Sequence, residues 1–437
     1  MRIASTFLYL TSLTCQLTLV VDLETVARKA RDAMAAGRYT DAVPLYEQMV
    51  KALPNEPGAR LNLALALDGA SRPVDAVRNL ELIETKESAN AKFWYLLGNE
   101  YLKLKQPLKA IPPLEKAVKL LPTEADYQVE LAGAHLAASN AQRAAEILNP
   151  LAKQFPESPR ILAQFVRTQF AISAGAYAKL LRVAPKSPFR SALDDAAADS
   201  ESEKANRVMT EDPTNPLAQL FHQDDFESII IRTATAKSAE DLYWRARASA
   251  AVARSTLARL ALLPPSPEAH ELAGLAYRRA ARWEDSLAEY REAVALSPND
   301  RSLQAELAKA LWLGRHNEEA VTTLQPLVAS DPASGDFEFE LGDSLLNLGQ
   351  PEHALPHLRR AAMLLPSDFA AQATLGRLLL AMGDNQAAVQ ALKRVADRDV
   401  EGSIHYQLAN AYRNLGRTDL ARRALARQKE IEQSLRP

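Results

Sequence analysis

A spacing of 34 residues organises this chain. Segments beginning at Leu23, Pro57, Ala91 and Ala125 follow one another at that interval without a gap, and a second run begins at Pro267, Arg301, Gly335 and Phe369, with a last segment from about Gly402. The eighth residue of each is small: Ala30, Ala64, Gly98, Ala132, Gly274, Ala308, Gly342, Gly376, Ala409. So is the twentieth, from Ala42, Ala76, Ala110 and Ala144 to Ser286, Ala320, Ala354, Ala388 and Ala421. The twenty-fourth is large and apolar, as in Tyr46, Leu80, Leu114, Leu148, Tyr290, Leu324, Leu358, Leu392 and Leu425, and Pro54, Pro122, Pro156, Pro298, Pro332 and Pro366 close six segments. Small residues at two fixed places let two helices approach closely, a large one fills their seam, and proline ends the second helix. A generic amphipathic bundle has an apolar period of about 3.6 residues but no fixed return of small residues and proline. The pattern predicts an all-α stack of helix pairs. A stack of this kind also frees 437 residues from having to share compact cores.

In the segment from Ala91, the residues Trp94, Leu97, Gly98, Tyr101, Ala110, Leu114, Ala117 and Pro122 stand at positions 4, 7, 8, 11, 20, 24, 27 and 32. This resembles the tetratricopeptide repeat (TPR). The resemblance implies a right-handed superhelical solenoid of antiparallel helix pairs in a multi-repeat, bacterial protein. Four units are expected over 23–158 and five over 267–437, the last ending in a polar capping helix that carries Arg422, Arg423, Arg427 and Lys429. Pro44, Pro112 and Pro356 at position 22, with Pro150 and Pro326 at position 26, should make several second helices start late or bend.

Two stretches depart from the register. From 159 to 266 the pattern reads as degenerate helical repeats: Pro185 comes early, implying a shortened unit, and 239–266 reads as one long helix or two with the turn trimmed. Twelve Asp or Glu against five Lys or Arg between Arg190 and Asp241 make this middle acidic; it reads as eroded repeats with a solvated face, the alternative being a distinct partner-binding element. Ser191 to Lys204 is expected to be partly mobile. Residues 1–22 carry a basic start and an apolar stretch from Ile3 to Val21, the pattern of a signal peptide or an N-terminal anchor. Export to the periplasm or beyond, or membrane tethering through this segment alone, is therefore expected, with a cytoplasmic protein as the alternative. No later segment has the roughly 20 apolar residues of a membrane span.

Chemistry is hard to place on this chain. It has no G-x-S-x-G, P-loop, H-E-x-x-H or Rossmann fingerprint, and its one cysteine, Cys15, lies in the leader. His353 and His357 are four apart, but with only Glu352 beside them they read as solvated histidines and not as a metal site. No enzyme, cofactor or metal is expected, the alternative being a site in the acidic middle. With 52 basic and 54 acidic residues, nucleic-acid binding is not expected either.

The resemblance implies that first-helix positions 2, 5, 9, 12 and 13 line a concave groove that binds a protein or peptide segment. On this chain they supply Lys309, Trp312, Phe339, Asp343, Arg377, Tyr406 and Asn410 in the C-terminal run, and Tyr95 and Asn99 in the N-terminal run. The carboxylate clamp of chaperone-binding members is matched only at Asn62 and Lys92; Ala27, Arg31 and Leu96 replace its other three residues, so chaperone tails are not an expected partner. Trp94 and Trp283, at positions 4 and 17, are expected in the core.

Overall fold

The computed structural model describes residues 23–194 and 214–435. The leader at 1–22 and the stretch 195–204 expected to be mobile lie outside the described residues. The chain divides into two compact units, Met1–Ala269 and His270–Pro437.

Helix starts coincide with the 34-residue register. In the first unit, helix 23–35 pairs with Tyr39–Ala52, Pro57–Gly69 with Pro73–Glu81, Ala91–Lys103 with Pro107–Leu120, and Ala125–Ala137 with Ala141–Gln154. In the second, Pro267–Arg279 pairs with Trp283–Leu296, Arg301–Leu313 with Asn317–Ser330, Gly335–Asn347 with Pro351–Leu364, Phe369–Ala381 with Asn385–Lys393, and Ser403–Asn414 with Thr418–Ser434. Among the described residues there is no strand. Several first helices open on side-chain caps: Asn90 accepts from Phe93 N, Asp300 from Ser302 N and Leu303 N, and Asp368 from Ala371 N. Each pair turns through a residue with positive φ at position 15: Gly37, Ser71, Lys105, Ser139, Ala281, Arg315, Gly349, Gly383 and Gly416. This left-handed residue, two before the second helix, sets the antiparallel return.

Packing follows the small and large positions. Ala42, Ala76, Ala110, Ala144, Ala320, Ala354 and Ala388 are fully buried, as are Leu80, Leu114, Leu148, Leu324, Leu358 and Leu392. Where the eighth residue is Gly98, a Cβ would lie 2.5 Å from Leu114 Cγ, so this repeat has closed onto the bare backbone. Trp94 is buried and its Nε1 donates to Ser88 O at 2.9 Å. Trp283 corrects the expectation of a core residue: it is the first residue of its helix and 36% exposed. The proline-bearing second helices do not start late: Tyr39–Ala52, Pro107–Leu120, Ala141–Gln154, Asn317–Ser330 and Pro351–Leu364 all begin at position 17 and run through their prolines. The carbonyls these prolines, Pro113 included, leave without a helical donor belong to Thr40, Leu108, Lys109, Glu146, Thr322 and Glu352, all exposed residues that water can reach.

The stretch from 159 to 266 holds two long helices, Pro159–Val183 and Ala239–Leu260, packed on each other. Their outer halves complete one repeat. Val166 stands at the eighth position and is buried, Ala253 and Leu260 are buried as in a second helix, and Arg259 donates to Pro156 O as Arg360 does to Pro332 O. The inner halves continue where other repeats turn, and Ser173 Oγ donates to Ala246 O at 2.8 Å between them. Short helices Pro188–Asp194, Pro216–His222 and Phe226–Arg232 gather at the inner end over their own core of Leu180, Ala218, Ile229, Tyr243 and Trp244. One repeat is thus split by an insertion.

Candidate functional site

Four successive first helices of the second unit carry most of the residues expected to bind. Trp312 and Lys309 lie on Arg301–Leu313, Phe339 and Asp343 on Gly335–Asn347, Arg377 on Phe369–Ala381, and Tyr406 and Asn410 on Ser403–Asn414. Trp312, half-buried, donates its indole N–H to Asp343 Oδ2 of the next repeat at 2.8 Å. Its ring meets Phe339 edge-on, with centroids 5.8 Å apart. Asp343 also accepts from Asn347 Nδ2 at 3.3 Å and has Arg315 Nη1 at 3.7 Å. Asp343 therefore fixes the indole, leaving the ring's carbon surface as what a ligand can meet. Tyr406 is 50% exposed, Asn410 half-buried, and Arg377 exposed, bonded among the described residues only to Thr374 Oγ1 on its own helix, at 3.1 Å.

Beside Trp312 and Phe339 runs a chain of charges, in which Lys309 was expected and the acids Glu306 and Glu340 were not. Arg278 pairs with Glu306, and Glu340 is buried near Lys309. Burial pushes the Glu340 carboxyl up to about 7; Lys309 opposes the rise while Asp336 and Glu306 add to it. The sequence held a signal for these two acids, since Glu306 and Glu340 both stand at position 6, one turn before Ala310 and Ser344 in the seam between neighbouring first helices. Its chemistry is invisible without the neighbours.

In the first unit, Tyr95 stacks on Tyr127 at 4.5 Å and 22°. Arg160 of the following helix donates to Asp126 Oδ1 at 2.8 Å and Glu130 Oε1 at 2.5 Å. Asn99 is half-buried, and its Oδ1 has no hydrogen-bond partner among the described residues. Next to it Glu100 is wholly buried, bonded through Oε1 to Lys103 Nζ at 2.7 Å, and the same ammonium reaches Asp68. Burial pushes the Glu100 carboxyl up to about 8; Lys103 opposes the rise and Asp68 adds to it. An open cleft of about 580 Å³ lies nearby, lined by Lys86, Asn90, Lys92, Leu120, Leu121 and Tyr127.

His357 corrects the picture of a solvated pair. Its Nδ1 lies 2.7 Å from Oε2 of the buried Glu338, so its ring is committed to the fold. Among the described residues no group of three His, Cys, Asp or Glu is placed to hold a metal ion, and no helix is long and apolar enough to cross a membrane. Several acids of the insertion are occupied structurally: Asp225 caps its helix at Ser228 N, Glu227 accepts from Lys153 at 2.8 and 2.9 Å, and Glu240 bonds Asn215.

Families described as tetratricopeptide repeat match residues 33–100, 95–159, 230–401 and 373–431. Among curated proteins none matches the chain. Solved structures similar to it include a crystal structure of MamA, at 20% identity over 38% of this chain and 92% of that one, with a TM-score of 0.35. MamA residues 41 to end from Desulfovibrio magneticus RS-1 give 20% identity over 39% and 97%, with a TM-score of 0.36. YrrB, described as a TPR protein with an unusual peptide-binding site, gives 21% over 38% and 87%, with a TM-score of 0.34. The helix pairs, their register and these family matches agree: the chain is a multi-repeat protein of the tetratricopeptide-repeat family.

Proposed function

We propose that this protein is a non-enzymatic scaffold that holds an extended segment of a partner protein on the first-helix face of its second unit. One observation carries the reading: the Trp312 indole, tied at 2.8 Å to Asp343 of the next repeat and braced by Phe339. A tryptophan held in one orientation at a partly open surface offers a large apolar contact at little cost in conformational entropy, the character of an interface anchor. Tyr406, half exposed three first helices beyond that of Trp312, supplies a further aromatic at a position expected on the same face.

The test is capture of partner proteins by the double variant Trp312→Ala, Tyr406→Ala. Loss of a buried interface aromatic commonly costs about 2 kcal/mol or more, about thirtyfold in affinity, so capture should disappear while the helical circular-dichroism signal persists. Full capture by that variant, with loss on Arg422→Glu and Arg423→Glu, would move the site to the capping helix. We further propose that the protein is exported or tethered through residues 1–22. A mature N-terminus between Cys15 and Glu24 supports this, and intact Met1 on cytoplasmic protein overturns it.

A further inference from the structure

The charge on the first-helix face of the second unit changes along the stack. Arg301–Leu313 carries Glu306, and Gly335–Asn347 carries Asp336, Glu338, Glu340 and Asp343. The next two first helices, FAAQATLGRLLLA and SIHYQLANAYRN, contain no acidic residue at all, and their basic residues are Arg377 and Arg413. Both arginines are exposed, and among the described residues no carboxylate bonds either of them. In the preceding helices Arg278 pairs with Glu306, and Lys309 lies close enough to Glu340 to oppose the rise of its pKa. Small residues clear the approach to Arg377, since Ala370 and Ala373 stand at positions 2 and 5 of its helix, where Phe339 and Tyr406 occupy position 5 in the repeats on either side. An aromatic region around Trp312 and Phe339 therefore adjoins a region of unopposed positive charge.

We infer that the segment bound on this face is acidic, its carboxylates meeting Arg377 and Arg413 while an apolar side chain packs on Trp312 and Phe339. The inference rests on the proposed scaffold function and adds the chemistry of the partner. A guanidinium without an internal acid keeps N–H groups for a carboxylate, Arg377 committing only its Nη2 to Thr374, and like charge there rejects basic segments. The occupant is a segment of another protein. On the basic capping helix Arg422 and Arg427 have Asp419 at 3.5 Å and Glu430 at 2.9 Å beside them, while Arg423 and Lys429 have no such partner among the described residues, so reversal of the cap is the control.

The experiment uses the full chain and two short fluorescein-labelled peptides, one with a phenylalanine next to a run of glutamates and one with lysines in their place, followed by anisotropy. The glutamate peptide should bind, more weakly as salt rises, and the lysine peptide should not. Arg377→Glu with Arg413→Glu should weaken the glutamate peptide at least about tenfold and gain affinity for the lysine peptide, a reversal that mere loss of structure would not produce. Arg422→Glu with Arg423→Glu should leave the glutamate peptide within about twofold. Equal binding of the two peptides, no binding of the glutamate peptide, or an equal loss on reversing the cap would each overturn the inference. So would self-association abolished by the Arg377 and Arg413 reversal without peptide binding, which would make a second copy the occupant. If the lysine peptide binds and the Trp312→Ala, Tyr406→Ala variant loses it, the groove stands and only its charge selectivity falls. If the glutamate peptide binds that double variant undiminished, the groove itself falls.

Discussion

His357 and Glu338 face each other across one repeat, Nδ1 to Oε2 at 2.7 Å, and two repeats earlier His270 and Glu289 fill the same two positions with acid and imidazole exchanged, again at 2.7 Å. The positions are the fourth and twenty-third of the unit, 19 residues apart, and in the first unit Arg60 and Asn79 occupy them at 3.3 Å. Where Trp94 fills this place with an aromatic ring, these repeats use a polar bond between their two helices.

An exchange that the protein already contains should be tolerated when made by hand. His357→Ala leaves the buried Glu338 carboxylate without this partner and should cost about 1–3 kcal/mol in urea denaturation. Glu338→His together with His357→Glu should recover most of that. A double variant no more stable than the single one would show that the pair is not an interchangeable tie.

Buried carboxyls give the stability a pH slope. Glu100 rises to about 8 and Glu340 to about 7, against 4.5 as the ordinary value. The folded protein then holds protons that the unfolded chain has released, so the contribution of these groups is complete below about pH 4.5 and is lost as pH rises through about 7 and then about 8. Glu100→Gln with Glu340→Gln should flatten the fall in denaturation midpoint across that window. An unchanged slope in the double variant would refute the assignment.

The turns offer a test of backbone strain. Gly349 sits at φ +72° with nothing within 4 Å of an added Cβ, so Gly349→Ala isolates the cost of a left-handed alanine, about 1 kcal/mol. Ala281, at φ 53° in the equivalent turn, should gain a few tenths of that on Ala281→Gly. Thermal melts of the two variants should move in opposite directions.

Arg245 fastens the insertion. It is buried, donating to Ile230 O at 2.9 Å and to Gln142 Oε1 at 2.5 Å on the preceding repeat, and burial lowers its pKa. Arg245→Ala strips two acceptors of their donor and should open the region between Pro216 and Arg232 to limited proteolysis. Cleavage there at the wild-type rate would deny Arg245 that role.

The repeat boundaries were legible because each depends on local residues: Ala or Gly at position 8 and Ala or Ser at position 20 declare a close crossing wherever they recur. The split repeat was not. Through Gln164–Lys179 the sequence keeps its helical period, and Ser173 stands at position 15 like the turn residues Ser71 and Ser139, so a 25-residue helix and an eroded pair look alike. The expected binding positions sort Trp312, Phe339 and Tyr406 onto one face, yet the bond that orients Trp312 joins residues 31 apart on different helices. The acids at 306 and 340 are polar letters in a stripe, and nothing local reveals that one of them is buried.

The insertion also sets an order of assembly. Each of the first four repeats closes between helices joined by a three-residue turn, so each can form as soon as its second helix has been synthesised. The fifth cannot. Its seam is finished by contacts such as Arg259 with Pro156, 103 residues apart, and until the chain has passed Leu260 the apolar face of Pro159–Val183 has no second helix to cover it. Loop closure over that distance is entropically slower than any neighbouring step. Four repeats can therefore close before the first unit is complete, and it is completed only when the far side of the insertion folds back to it.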